Sequence, residues 1–108
     1  MIQFVELTPF TKRREVLLDD ESFRALQNLL SQQPERGDVM PRCGGFRKLR
    51  FGHQGRGKRG GLRVIYLHVP SVGRIYLALV YNKTKQDNIT PDTERALASA
   101  ARAIRLEL

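Results

Sequence analysis

The sequence predicts an α+β fold: a small antiparallel sheet preceded by a helical hairpin and followed by one helix. Three observations carry that expectation. Leu62-Arg-Val-Ile-Tyr-Leu-His-Val69 is dense in β-branched and aromatic residues, as strands are. A second such run, Arg74-Ile-Tyr-Leu-Ala-Leu-Val-Tyr81, follows it across the turn Pro70-Ser-Val-Gly73. On either side of this region, apolar residues recur at helical spacing. A chain of 108 residues can bury one core, so residues 1–108 are expected to form a single domain.

Taken in order, residues 2–7 (IQFVEL) read as a short strand with apolar positions at Ile2, Phe4 and Val5, broken by Thr8-Pro9. Phe10 to Leu18 reads as a short helix, with Phe10, Arg14, Leu17 and Leu18 at helical spacing. Asp19-Asp20-Glu21 supplies a cap and first-turn acids for a second helix, where the helix dipole favours negative charge. Phe23, Leu26, Leu29 and Leu30 give that helix one apolar face, and it should end near Gln33, before Pro34.

Residues 34–45 are punctuated by Pro34, Gly37, Pro41, Gly44 and Gly45 and read as loop. Phe46 to Phe51 alternates, with Arg47, Leu49 and Phe51 on one face and Phe46, Lys48 and Arg50 on the other. The run 74–81 is apolar on both faces, as a central strand would be. At the end of the chain Thr90 caps a helix, Pro91 suits its first position, and Asp92 and Glu94 fall in its first turn. Leu97, Ala100, Ala101, Ile104 and Leu108 form its apolar stripe. The expected order is β-α-α-β-β-β-α.

Charge narrows the function classes. The formal net charge is +8, which favours a polyanionic partner. The excess is concentrated: between Val39 and Gln86 there are 11 basic residues and no acid, while the rest of the chain holds 8 basic residues and all 11 acids. A solvated face normally mixes signs, so this stretch reads as an electrostatic site. A single cysteine, Cys43, excludes an internal disulfide and fits a reducing compartment. The N-terminal residues are interrupted by Gln3 and Glu6, unlike a secretory signal, and the apolar run 75–81 is too short to span a bilayer. A cytoplasmic protein with no membrane association is expected.

The stretch Gly52-His-Gln-Gly-Arg-Gly-Lys-Arg-Gly-Gly61 matches two cofactor motifs by letter. A dinucleotide fingerprint needs a helix after its glycines and an acid about 20 residues on. Here a strand follows, and no acid occurs before Gln86. A phosphate-binding P-loop needs Ser or Thr after its lysine, yet Lys58 is followed by Arg59. His53 and His68 have no acid or second cysteine at ligand spacing, so neither metal nor cofactor is expected.

The stretch is better read as a basic hairpin loop. It carries Arg56, Lys58 and Arg59, lies between strands bearing Lys48, Arg50 and Arg63, and is followed at the next strand end by Lys83. Like charges held together are costly unless an anion relieves them, and a phosphodiester backbone is the natural ligand. Such a cluster can bind only, or it can cut RNA. The 2′-hydroxyl attacks the adjacent phosphate when a base, an acid and a cation for the phosphorane are supplied, and clustering of positive charge disfavours a lysine's charged form, as a base requires.

Three runs resemble the HigB-type toxins of the RelE superfamily: Gly44-Gly-Phe-Arg-Lys-Leu-Arg-Phe51, Gly55-Arg-Gly-Lys-Arg-Gly-Gly-Leu-Arg-Val-Ile-Tyr66, and Ile75-Tyr-Leu-Ala-Leu-Val-Tyr-Asn-Lys83. The family signature GxGKRGGxRVIYY stands here as GRGKRGGLRVIYL, with Leu67 where a second tyrosine is common. The resemblance implies a RelE-like fold and the toxin of a type II toxin–antitoxin system. Such a toxin is a ribosome-dependent endoribonuclease (mRNA interferase) that cuts messenger RNA in the ribosomal A site, without metal, by 2′-hydroxyl attack. It also implies a cognate antitoxin of the HigA helix-turn-helix type. On this resemblance the family's strand lysines match Lys48 and Arg50, its strand-opening arginine matches Arg63, and its basic residue after the last strand matches Lys83. Lys48 and Lys83 are then expected in proton transfer or charge roles, Arg50 and Arg63 on the scissile phosphate, and Arg47, Arg56, Lys58 and Arg59 on RNA. The family's tyrosine acid has no counterpart after Tyr81, and Thr84 stands where a further arginine is used. Two other readings fit the same charge: a non-catalytic RNA- or DNA-binding module, and a ParE-like gyrase poison.

Overall fold

The computed structural model describes residues 1–52, 61–83 and 89–108. Within them the fold is α+β: three α-helices and a five-stranded sheet. β1 (Gln3–Glu6) leads into α1 (Thr8–Leu17) and α2 (Asp20–Gln32). A short β2 (Asp38–Val39), then β3 (Arg47–Phe51), β4 (Leu62–Val69), a turn of 3-10 helix (Pro70–Val72), β5 (Arg74–Asn82) and α3 (Pro91–Leu106) complete the order.

The helix ends are where local chemistry puts them. Asp19 caps α2 by accepting a 2.8 Å hydrogen bond from the Ser22 amide, and Thr90 caps α3 by accepting one of 3.1 Å from Thr93. Each cap is worth about 1 kcal/mol. α1 starts at Thr8, two residues earlier than expected, because Pro9 sits in its first turn, where the missing N–H costs nothing. Glu6 ties β1 to α1, accepting from Thr11 Oγ1 at 2.7 Å and Arg14 Nε at 2.8 Å. The Arg14 guanidinium lies 4.5 Å over the Phe23 ring, joining α1 to α2.

The sheet order is β1-β5-β4-β3-β2. It departs from the expected antiparallel sheet in two ways. β1 runs parallel to β5, because the helical hairpin carries the chain across a face before the sheet resumes. β2 adds a fifth strand at the far edge, too short to show any alternation. The remaining pairings are antiparallel.

The sheet is covered on both faces. α1 and α2 pack Phe10, Leu26 and Leu30 against Leu49, Phe51, Val64, Tyr66 and Leu77. α3 packs Leu97 and Ala101 over Phe46, Ile65, Leu67 and Tyr81. β4 and β5 lie inside the sheet, which accounts for their apolar residues on both faces. The loop before β3 is fastened to α3: Arg42 donates to both carboxylate oxygens of Glu94 at 3.2 Å, and Arg105 donates to the Gly44 carbonyl. Gly44 has φ +71° there, and a Cβ would stand 2.7 Å from that of Ala101, so only glycine fits.

One irregularity decides which residues share a face. Tyr66 pairs with Leu77 while Ile65 pairs with Leu79, so Ala78 has no partner and β5 bulges there. The extra residue reverses the alternation. Ile75 and Leu77 face the helical hairpin, and so does Val80, while Tyr81 faces α3. Among the described residues no helix is long and apolar enough to cross a membrane.

Candidate functional site

Three strand ends meet on the α3 face: the end of β3, the start of β4 and the end of β5. Arg50 pairs with Arg63, and Arg63 pairs with Tyr81, giving the row Arg50–Arg63–Tyr81 across three strands. Leu49, Phe51, Leu62 and Val64 pack against the hairpin, so the residues between them, Arg50 and Arg63, are turned to the α3 side. Directly opposite residues have Cβ atoms about 5 Å apart, so two guanidinium groups are carried on adjacent positions. The next row inward is Lys48–Ile65–Leu79. Lys83 extends the β4–β5 ladder by one rung, its amide donating to the Gly61 carbonyl at 2.8 Å.

Four residues expected to act together, Lys48, Arg50, Arg63 and Lys83, are therefore gathered at one end of the sheet. Their environments differ. Arg50 and Lys83 are exposed and Lys48 is half-buried. Arg63 is only 7% exposed, and its Nη1 donates to the Leu62 carbonyl at 3.1 Å. Removing a guanidinium from water is costly unless its donors are satisfied, so Arg63 is a positioned cation and not a solvated one.

Tyr81 was not singled out by its place in the sequence, where it only closes an apolar run. In the structure it is 3% exposed, and its hydroxyl is buried with no hydrogen-bond partner among the described residues. Burial pushes its pKa above the usual tyrosine value, while the nearby Arg63 charge pulls the other way. Only the bulge at Ala78 aims it at Arg63, and an apolar run carries no sign of a bulge.

The acid-free stretch of sequence is not acid-free in space. Asp38 pairs with Lys48 across β2 and β3. Asp38, Lys48 and Glu94 line one hollow of about 360 Å³, together with Met40 and Ile89. The site thus has an anionic flank on the β2 side, beside its one half-buried lysine.

Arg47 is not brought to this cluster. It lies on the opposite face of β3, where Nη1 donates to the Gly37 carbonyl at 2.8 Å and the Glu35 carbonyl at 3.2 Å. Its Nη2 stands 3.9 Å from the Glu35 carboxylate, which also lies 3.5 Å from His68 Nδ1. The Tyr66 hydroxyl accepts from the Gly37 amide at 2.9 Å. Arg47 and Tyr66 together pin the chain between α2 and β2. Arg56, Lys58 and Arg59, like His53 and Lys85, lie outside the described residues.

Among the described residues there is no group of three or more His, Cys, Asp or Glu side chains placed to hold a metal ion. Cys43 is buried, and burial raises its thiol pKa, as does the nearby Glu94 charge, against the pull of Arg42 and Lys48. Its contacts with Phe46 and α3 make it a packing residue.

No family model matches the chain. Its backbone is similar to the crystal structure of a metal-bound toxin from Helicobacter pylori, at a TM-score of 0.50 and 10% identity, over 80% of this chain and 99% of that one. At that identity the likeness is one of fold.

Proposed function

We propose that the chain is a ribosome-dependent messenger-RNA endonuclease, the toxin of a type II toxin–antitoxin pair. The observation that carries the reading is the cross-strand pair Arg50–Arg63, with Lys48 and Lys83 at the same end of the sheet. Two further facts support it. The central motif resembles the HigB-type toxins, and the fold is similar to that of a solved bacterial toxin.

The chemistry follows from the charges. The 2′-oxygen of one nucleotide attacks the adjacent phosphorus, its proton passing to a base. The bond from phosphorus to the 5′-oxygen of the next nucleotide breaks, and that oxygen takes up a proton. The products are a 2′,3′-cyclic phosphate and a free 5′-hydroxyl. Negative charge grows on the phosphorane oxygens, and fixed cations there lower the barrier most. Arg50 and Arg63 supply that charge, and the planar guanidinium of each suits two phosphate oxygens at once. Lys48 and Lys83 take the proton-transfer or charge roles, and Arg56, Lys58 and Arg59 hold the RNA. The partners on this reading are the ribosome, its message and a cognate antitoxin of the HigA helix-turn-helix type, and the reaction proceeds in the cytoplasm without metal.

One observation favours a second reading. Arg63 and the Tyr81 hydroxyl are enclosed, which suits a site that grips phosphate without cutting it. A translation extract with a defined message separates the two. Cuts positioned by the reading frame, seen only with ribosomes present, are expected of the endonuclease. An intact message with unaffected protein synthesis at high protein concentration would overturn it.

A further inference from the structure

The hollow beside Lys48 is lined in two ways. Asp38, Lys48 and Glu94 bring charge to it, and Met40, Pro41 and Ile89 bring apolar surface. Its volume, about 360 Å³, falls at the small end of the range for ligand pockets. Its place is set by β3. Lys48 and Arg50 lie two residues apart on the α3 face of that strand, about 7 Å along it. The base of a nucleotide is carried a comparable distance from its own phosphate. A phosphate held at Arg50 and Arg63 therefore puts a neighbouring base within reach of the hollow.

The two carboxylates differ. Both oxygens of Glu94 already accept from Arg42. Asp38 is exposed and stands opposite Lys48 across β2 and β3. It has no hydrogen-bond or ion-pair partner among the described residues. A carboxylate beside a phosphate site opposes binding unless donors meet it. Phosphate oxygens only accept, whereas base edges carry N–H donors. The acidic flank therefore suits a base edge and not the backbone.

We infer that this hollow receives a guanine next to the scissile bond, with the Asp38 carboxylate accepting from its N1–H and N2 amine and Lys48 donating to O6. Guanine alone presents two adjacent donors on its Watson–Crick edge, and one carboxylate takes both with its two oxygens. Adenine and cytosine offer one amine beside an acceptor nitrogen, and uracil offers one N–H between two carbonyls. Each would leave a carboxylate oxygen without its donor. Met40 and Ile89 give the planar ring an apolar surface to lie against. Bases of single-stranded RNA are read in this manner, splayed out and bonded along their edges. The inference rests on reading the strand-end cluster as an RNA site. It makes Asp38 a specificity residue with no part in the cut itself.

Binding and cutting test it separately. Short oligouridine RNAs with one central base varied are titrated into the folded chain at one fixed salt concentration, followed by fluorescence anisotropy. The RNA with central guanine should bind about tenfold or more tighter than those with adenine, cytosine or uracil. It should also shift the amides of Asp38, Met40 and Ile89. Inosine, which lacks the N2 amine, should lose most of the advantage. Asp38→Ala should abolish the preference with an unchanged melting temperature. Asp38→Asn, whose amide matches one donor beside one acceptor, should turn it toward adenine or cytosine. In a translation extract the parent should cut beside guanine, and Asp38→Ala should still cut but without regard to the base. Equal binding of the four RNAs, equal binding of inosine and guanine, or a guanine preference that survives Asp38→Ala would overturn the inference, whether or not messages are cut. Guanine-selective binding that depends on Asp38, with every message left intact, would keep the hollow and overturn the endonuclease instead.

Discussion

Arg63 on β4 stands directly opposite Tyr81 on β5, and the unpaired Ala78 is what brings the tyrosine round to the arginine's face. Without that residue the alternation would point position 81 at the helical hairpin. A buried cation and a buried hydroxyl are therefore neighbours beside an exposed arginine, which gives the strand-end cluster an enclosed half and an open half.

The charge pair is the first thing to test. Arg63→Ala and Arg50→Ala should each lower ribosome-dependent cutting by about a hundredfold or more, the usual loss when one fixed charge on a developing oxyanion is removed. Arg63→Lys should not restore it, because a lysine cannot reproduce a planar, two-point grip. Cutting rates in a translation extract measure this, with circular dichroism showing that each variant is folded. A variant that cuts as fast as the parent places the reaction elsewhere.

Tyr81 makes a prediction in stability and in pH. A buried hydroxyl carries a desolvation cost of about 1–3 kcal/mol when unpaired, and Tyr81 has no partner among the described residues, so Tyr81→Phe should leave the melting temperature unchanged or raise it by several degrees. Burial raises the pKa of both Tyr81 and Tyr66, so the folded state holds these protons after the unfolded chain has lost them. Stability is then fully present below about pH 10, the unfolded tyrosine value, and falls as pH rises above it. Denaturant titrations between about pH 8 and 11 should show that decline. Tyr81→Phe should flatten it, and an equally steep decline in that variant would remove Tyr81 as a contributor.

The element order and both helix caps could be read from the chain because they depend on neighbours in sequence: Asp19 and Thr90 cap residues three positions on. The gathering of Lys48, Arg50, Arg63 and Lys83 was legible for a similar reason, since alternation and hairpin adjacency fix which residues share a strand end. What was hidden depends on distant partners. A bulge leaves no trace in a strand that is apolar on both sides, so Tyr81 went unmarked. The direction of β1 is not encoded in its own residues, and the two-residue β2 has no pattern to read. Asp38 lies just before the acid-free stretch and Glu94 eight residues after it, yet both line the hollow beside Lys48.

Arg47 and Arg50 look alike in sequence and should behave differently. Arg47 spends its guanidinium on the Glu35 and Gly37 carbonyls, holding the chain between α2 and β2. Arg47→Ala should lower stability by about 1–2 kcal/mol, the worth of charge-assisted bonds at a half-buried site, while cutting changes less than about threefold. Thermal melts and extract assays on the same preparation compare the two effects. A large loss of cutting with an unchanged melt would instead put Arg47 on the RNA.

Gly44 sets how α3 sits on the sheet. Its left-handed φ of +71° disfavours any side chain, and an added Cβ would lie 2.7 Å from Ala101 Cβ, inside contact distance. Gly44→Ala must therefore strain the loop and push on α3 together, at a cost of about 2–4 kcal/mol. The same loop carries the Arg42–Glu94 pair, and Glu94 and Met40 both line the hollow at Lys48, so the displacement should reach the site. A melting temperature lower by roughly 10 °C or more, with amide shifts in α3 at Glu94, Ala98 and Ala101, is the expected result. Gly44→Ala combined with Ala101→Gly frees the clash but not the backbone strain, and should recover only part of the loss. Full recovery in that double variant would mean that contact alone, and not the left-handed turn, requires glycine here.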